Sequence, residues 1–284
     1  PFMSIYIPSS YQLKGGAKHL ADSLIDMTQA LTVKFPDMFA PANSPAEIEA
    51  NFVKGLVSLP MGMENGAPLE NDLANVKYFY DRGIRYITLT HATDNQICDS
   101  SYDTTRTWNG LSDFGKEVVK EMNRVGIMVD ISHVSDSTFY QVIELTDVPV
   151  IASHSSCRHF VPGFERNMTD DMIKKVGENG GVICINFGST FFSLESREKF
   201  ERMDEDLVNY KSQMNLTDSD SAYQAHARQY AIDRGIFEDV EKVVDHIDRV
   251  VQLAGIDYVG FGSDFDGVGD SLPTGLKDVS MYPN

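Results

Sequence analysis

Residues 126–156, GIMVDISHVSDSTFYQVIELTDVPVIASHSS, read as strand, turn, helix, turn, strand. Residues 127–131 are mostly apolar and β-branched and run into Ser132-His133; residues 149–152 form a second apolar run and lead into Ser153-His154. The stretch between them, 137–145, has helical spacing. Two parallel strands joined by a helix put their carboxyl ends on the same edge of a sheet, so both imidazoles project from one rim. Neutral imidazole is the commonest protein metal ligand and a frequent acid–base group.

The pattern repeats outward from this unit. Toward the N-terminus, residues 3–7 (MSIYI), 55–63 (GLVSLPMGM) and 84–90 (IRYITLT) read as strands, the second leading into Glu64 and the third into His91. Helical spacing covers 20–34, 45–54, 71–82 and 111–125. Toward the C-terminus, 182–187 (VICINF) and 258–262 (YVGFG) are strands; the first contains Asn186 and the second leads into Asp264. Residues 92–109 and 155–168 are polar and aperiodic, and read as rim loops where function concentrates. Residues 193–237 are charged and helical in composition, an insertion acting as a lid or flap within a single domain spanning the chain. Helix-borne His19, His226 and His246 read as surface residues.

Seven strands alternating with helices predict a parallel sheet covered by helices. No G-x-G-x-x-G or G-x-x-x-x-G-K-[ST] follows an early strand, which argues against a doubly wound nucleotide-binding sheet. Polar residues ending strand after strand are the habit of the (β/α)8 TIM-type barrel. That fold needs eight strands, so the expectation is a barrel whose first strand precedes Pro1 and whose last helices lie beyond this chain.

The totals set limits on function. A formal charge of −18 over 284 residues, with no basic cluster, argues against a nucleic-acid partner. Three cysteines without C-x-x-C spacing give neither a disulfide framework nor a cysteine zinc site.

The chain resembles the membrane (renal) dipeptidase family of zinc peptidases. The resemblance rests on SIYIPSSYQLKGG (4–16), YITLTHATDN (86–95), GLSDFGKEVVKEMNRVGIMVDISHVS (110–135), PVIASHSS (149–156), RNMTDDMI (166–173) and GIDYVGFGSDFDG (255–267). It implies a (β/α)8 barrel with two zinc ions at the strand carboxyl ends and a small dipeptide as substrate. Carried over residue by residue, Glu64 is the carboxylate bridging the ions, and His133 and His154 are further metal ligands. His91 faces the substrate and stabilises the tetrahedral intermediate, Asp264 is the acid/base, and Arg166 faces the substrate's terminal carboxylate. The family's other two ligands form an H-x-D element on the first strand, expected upstream of Pro1. The family's habits also point to a homodimer and to an exported, periplasmic or membrane-attached protein.

The chemistry requires these residue types. A metal lowers the pKa of bound water to near 7. Among side chains, Asp or Glu supplies a carboxylate to bridge two dications, an imidazole can donate to an oxyanion, and a carboxylate that takes a proton from water can return it to the leaving amine. Arg grips a carboxylate with two parallel N–H donors. Each residue also has a plain reading: Glu64 as a turn residue, His133 and His154 as satisfied histidines, His91 bonding the loop after it, Asp264 and Asp266 as turn formers around Gly267, and Arg166 paired with Asp170 or Asp171, with Arg158 a rival for the carboxylate. The leading expectation is a dipeptidase acting on L,L dipeptides and tolerating a D residue at the C-terminal side. The alternatives are a metal-dependent hydrolase of another small amide (an N-acyl amino acid or a β-lactam) and a non-catalytic barrel if the H-x-D element is absent.

Overall fold

The computed structural model describes residues 1–283, apart from the side chain of Asp270. Its elements, in chain order, are β1 (Met3–Tyr6), α1 (Ser10–Lys14), α2 (Ala17–Lys34), β2 (Phe39–Pro41), α3 (Pro45–Val53), β3 (Val57–Leu59), β4 (Met61–Glu64), α4 (Ala74–Asp81), β5 (Ile84–Thr88), α5 (Asp113–Val125), β6 (Met128–Asp130), α6 (Asp136–Leu145), β7 (Ile151–Ser155), α7 (Asp170–Asn179), β8 (Val182–Ile185), α8 (Leu194–Met214), α9 (Ser221–Asp233), α10 (Val240–Leu253) and β9 (Val259–Phe261). The chain divides into two compact units, Pro1–Ala152 with Glu178–Gly181, and Ser153–Gly177 with the chain from Val182 onward.

In the first unit β1, β4, β5, β6 and the start of β7 are successive parallel neighbours. In the second unit the end of β7, β8 and β9 continue in the same way, with Asn186 N donating to Ser155 O and Ile185 paired with Phe261. Within each unit the order never reverses. A doubly wound sheet has a reversal, and its ligand sits there; sequential order is the barrel-type alternative. The seven parallel strands are those expected from the sequence.

Two boundaries differ from the sequence reading. The run 55–63 is two strands, because Pro60 has no N–H to give a ladder. Its first half, β3, pairs with β2 in a separate parallel sheet that hydrophobic alternation did not announce. β7 extends to Ser155, so His154 lies within the strand rather than beyond it.

Helix ends follow local chemistry. Ser112 Oγ accepts from Gly115 N at 2.9 Å and caps α5, which ends at Gly126 in the left-handed region (φ 92°). Val118, Val119 and Met122 form its buried stripe. In the second unit α8, α9 and the turn after α9 enclose a small core of Met203, Leu207, Ala231 and Ile236. Among the described residues no helix is long and apolar enough to cross a membrane.

His246 corrects an expectation: it is fully buried, not on the surface. It stands on the i, i+3, i+7 stripe Val243–His246–Val250 of α10. Its Nδ1 accepts from Cys157 N at 3.0 Å, and its Nε2 donates to Phe192 O at 3.1 Å, with the Phe160 and Phe192 rings 4.5 and 5.1 Å away. Burial pulls its pKa from 6.5 down to about 4. The same burial pushes the Cys157 thiol up to about 12, which makes it an inert packing group.

Because the folded imidazole stays neutral while the unfolded one protonates, this stabilisation is complete above pH 6.5 and is lost as the pH falls toward 4. The loss amounts to about 3 kcal/mol. Urea midpoints of the wild-type protein and His246→Gln should therefore converge between pH 7 and pH 4.5; a constant gap would show that the imidazole does not titrate in this way.

Candidate functional site

The first unit gathers Glu64, His91 and His133. Pairing register does much of the positioning: Tyr6 pairs with Glu64, Glu64 with Thr88, and Thr88 with Asp130, so one rung crosses the carboxyl ends of β1, β4, β5 and β6. His91 and His133 each stand three residues beyond that rung. Glu64 Oε2 accepts from Ser4 Oγ at 3.0 Å. The other oxygen, Oε1, lies 3.5 Å from His91 Nε2 and 3.4 Å from His133 Nε2. Among the described residues these three are the group whose ligand atoms all lie within 4.8 Å of one another.

The donor set and spacing fit a small divalent cation. Ligands at the zinc–nitrogen distance of about 2.0–2.1 Å, arranged tetrahedrally, are roughly 3.3–3.4 Å apart. The two measured edges match that separation. The imidazole rings are 4.3 Å apart. Two half-exposed tyrosines flank them, Tyr6 with its ring 5.0 Å from His91 and Tyr102 with its ring 6.0 Å from His133. Burial first, and the Glu64 charge second, raise the Tyr6 phenol above its usual pKa.

His133 has φ +70°, unusual for a residue with a side chain. The surroundings enforce it: Asp130 Oδ1 accepts from Ser132 N at 3.0 Å and turns the chain, and Ser101 N donates to His133 O at 2.8 Å. The fully buried Asp130 also accepts from Thr88 Oγ1 at 2.5 Å.

The loop 92–110, aperiodic in sequence, is held by its own carboxylates. Asp94 accepts from Ser100 N and Thr107 N, Asp99 from Trp108 N and Gly110 N, and Asp103 from Asp94 N and Thr105 N. Sequence reasoning placed function in this loop but named none of Ser4, Tyr6, Asp99, Ser100, Tyr102 or Asp130. The available signal was its density of Asp, Ser and Thr, the residues that bond nearby backbone N–H groups in place of regular structure.

The second unit carries His154, Arg166 and Asp264. His154 Nδ1 is 2.7 Å from Ser153 Oγ, which leaves Nε2 as the nitrogen suited to a metal. Arg166 is buried, donating from Nη1 to Ser155 Oγ at 2.8 Å and from Nη2 to His154 O at 2.7 Å, with Phe191 beneath its guanidinium. Arg158, its rival in sequence, donates from Nε to Asn167 O and from Nη2 to Glu165 O and so staples the loop after β7. Asp170 is ion-paired with Arg249, which holds its carboxyl below the usual range.

Asp264 lies just past β9 in the left-handed region (φ 55°), and its Oδ2 accepts from Asn186 Nδ2 at 2.9 Å. A Cβ on Gly267 would fall 2.1 Å from Asp264 Oδ1, so a larger residue there would displace the carboxylate.

These observations define a parallel α/β protein with a candidate metal centre at its strand carboxyl ends. More narrowly, the chain belongs to the membrane dipeptidase family (Peptidase family M19), whose match covers residues 1–284. It is 34% identical over 263 residues to one uncharacterized dipeptidase of Schizosaccharomyces pombe and 31% identical over 261 residues to another. Both alignments cover 92% of this chain and 54% of the relative, so the chain spans about half the length of the curated relatives it matches. Its fold is similar to the crystal structure of a metallo peptidase from Rhodobacter sphaeroides liganded with a phosphinate mimic of the dipeptide L-Ala-D-Ala. That likeness has a TM-score of 0.77 at 23% identity, covering 99% of this chain and 77% of that one.

Proposed function

We propose that the protein is a zinc-dependent dipeptidase that hydrolyses dipeptides with a free C-terminal carboxylate. The observation carrying this reading is the convergence of two imidazole Nε2 atoms on one oxygen of Glu64, at 3.4 and 3.5 Å. Family membership and the dipeptide mimic held by the Rhodobacter sphaeroides structure support the substrate class, including tolerance of a D residue on the C-terminal side. Bound zinc supplies a water acidic enough to ionise near neutral pH.

This chain's own residues do the rest. Glu64 and His133 are metal donors, with Ser4 fixing the carboxylate's second oxygen. His154 is a further donor through Nε2, with its Nδ1 engaged by Ser153 Oγ. His91 donates to the carbonyl oxygen as negative charge develops on it. Asp264 takes the water's proton and hands it to the departing amine. Arg166 meets the terminal carboxylate, its guanidinium held flat by Ser155 Oγ and the His154 carbonyl. The separation of His91 from Glu64 also suits a third metal donor, and His91→Asn separates the two roles: lost metal makes it a ligand, retained metal with lost turnover makes it the oxyanion donor.

The deciding experiment measures metal content and hydrolysis together in the intact protein. Chelation should abolish dipeptide cleavage and zinc should restore it, while a C-terminally amidated dipeptide should be cleaved about 100-fold more slowly, the scale of a lost charge-assisted carboxylate contact. Rapid cleavage of N-acyl amino acids with no action on dipeptides would replace this reading with the amide-hydrolase alternative.

A further inference from the structure

The loop after β5 does more than cover the cluster. The last ladder contact between β5 and β6 near the rim is Leu89 N to Asp130 O, at 3.4 Å. His91 and His133 lie past it, where strand pairing no longer fixes their separation. A backbone link between them there runs through residues 99–101. Ser100 Oγ donates to His91 O, and the very next amide, Ser101 N, donates to His133 O at 2.8 Å. Two adjacent residues thus hold the backbone carbonyls of the two histidines.

The clamp is itself fixed on every side. Ser100 forms an antiparallel bridge with Val134, and its N–H donates to Asp94 Oδ1 at 2.8 Å. Arg106 Nη1 donates to Ser100 O. Asp99 O accepts from Ser135 N at 3.0 Å and from Thr138 Oγ1 at 3.3 Å, which ties the same segment to the start of α6. Asp99 and Ser100 are both fully buried. Ser100 Oγ also accepts from Tyr102 N at 3.2 Å, so one hydroxyl fixes the His91 carbonyl and the backbone of the tyrosine facing His133.

We propose that Ser100 is a positioning residue: with the Ser101 amide it cross-links the backbones of His91 and His133 and sets the separation of the two imidazoles. The proposal rests on the metal-centre reading above. A buried hydroxyl that only packed the loop would affect stability, whereas one that spaces two imidazoles also affects what they bind. Groups that orient metal ligands from outside the coordination sphere change affinity or activity by about 10–100-fold when removed.

The test uses Ser100→Ala and Ser100→Thr in the intact protein, with Co2+ and Zn2+ as probes. Ser100→Ala should keep the wild-type number of metal sites but bind zinc about 10-fold more weakly in chelator competition. Its cobalt absorption band should shift, and kcat for a dipeptide should fall by a similar factor with KM nearly unchanged. Ser100→Thr, which keeps the donor, should recover affinity and spectrum. A Ser100→Ala protein with a lowered melting temperature but unaltered affinity, cobalt spectrum and kcat overturns the proposal. If the wild type binds no more metal than Glu64→Gln, the metal-centre reading fails separately. The clamp is then decided by the imidazole NMR resonances: displacement of both His91 and His133 in Ser100→Ala upholds it, and unmoved resonances overturn it.

Discussion

Glu64→Ala should lose metal from the first-unit cluster and lower kcat/KM for dipeptides by roughly 10³-fold or more, the scale seen when a member of a catalytic unit is removed. Glu64 Oε1 is the atom on which both imidazoles converge, at 3.4 and 3.5 Å. Without it the two histidines supply neutral donors only, with no charge to offset a dication. The fold should survive, because truncating the Glu64 side chain leaves the backbone pairing of β4 with β1 and β5 in place, while Ser4 Oγ loses one acceptor. Glu64→Gln is the sharper variant: it keeps the shape and an acceptor for Ser4 but removes the charge. Metal per chain after dialysis, measured beside kcat/KM and melting temperature, decides the matter. Full metal content and full turnover in both variants would remove Glu64 from the site.

The sequence carried much of this in advance because strand periodicity and strand-end chemistry are local signals. The parallel strands ending near Glu64, His91, His133 and Asp264 could be read from apolar runs followed by a polar residue. Four features were not readable in that way. Pro60 splits an apparently continuous strand, and β3 pairs with β2 across the 15 intervening residues 42–56, a non-local pairing that composition does not encode. His246 reads as a surface residue because it lies on a helical stretch, but its place on the Val243–Val250 stripe of α10 buries it. The loop 92–110 has no period at all, because its order comes from carboxylates gripping backbone amides, so its residues could be assigned to function only as a stretch. The grip of Ser100 and Ser101 on two carbonyls from different strand ends is likewise invisible to spacing, since it depends on where the loop returns.

Asp264→Asn should leave metal content and folding intact while lowering kcat by roughly 10³-fold, within the span usual for loss of a general acid–base group. The substitution is as gentle as the site allows. The backbone at 264 is left-handed, a conformation asparagine tolerates well. Gly267 N and Val268 N donate to the Asp264 backbone carbonyl and are untouched by it. Asn186 Nδ2 can donate to an amide oxygen as it does to Oδ2 now, at 2.9 Å. What disappears is the ability to accept a proton and pass it on. KM should therefore change little, and the limb of the kcat–pH profile that reports ionisation of this carboxylate should vanish. Loss of metal in Asp264→Asn would make the carboxylate a ligand instead of a proton carrier. Unchanged kcat with full metal would move the proton transfer to another group, and the turn at Asp264–Gly267 would then be read as structure alone.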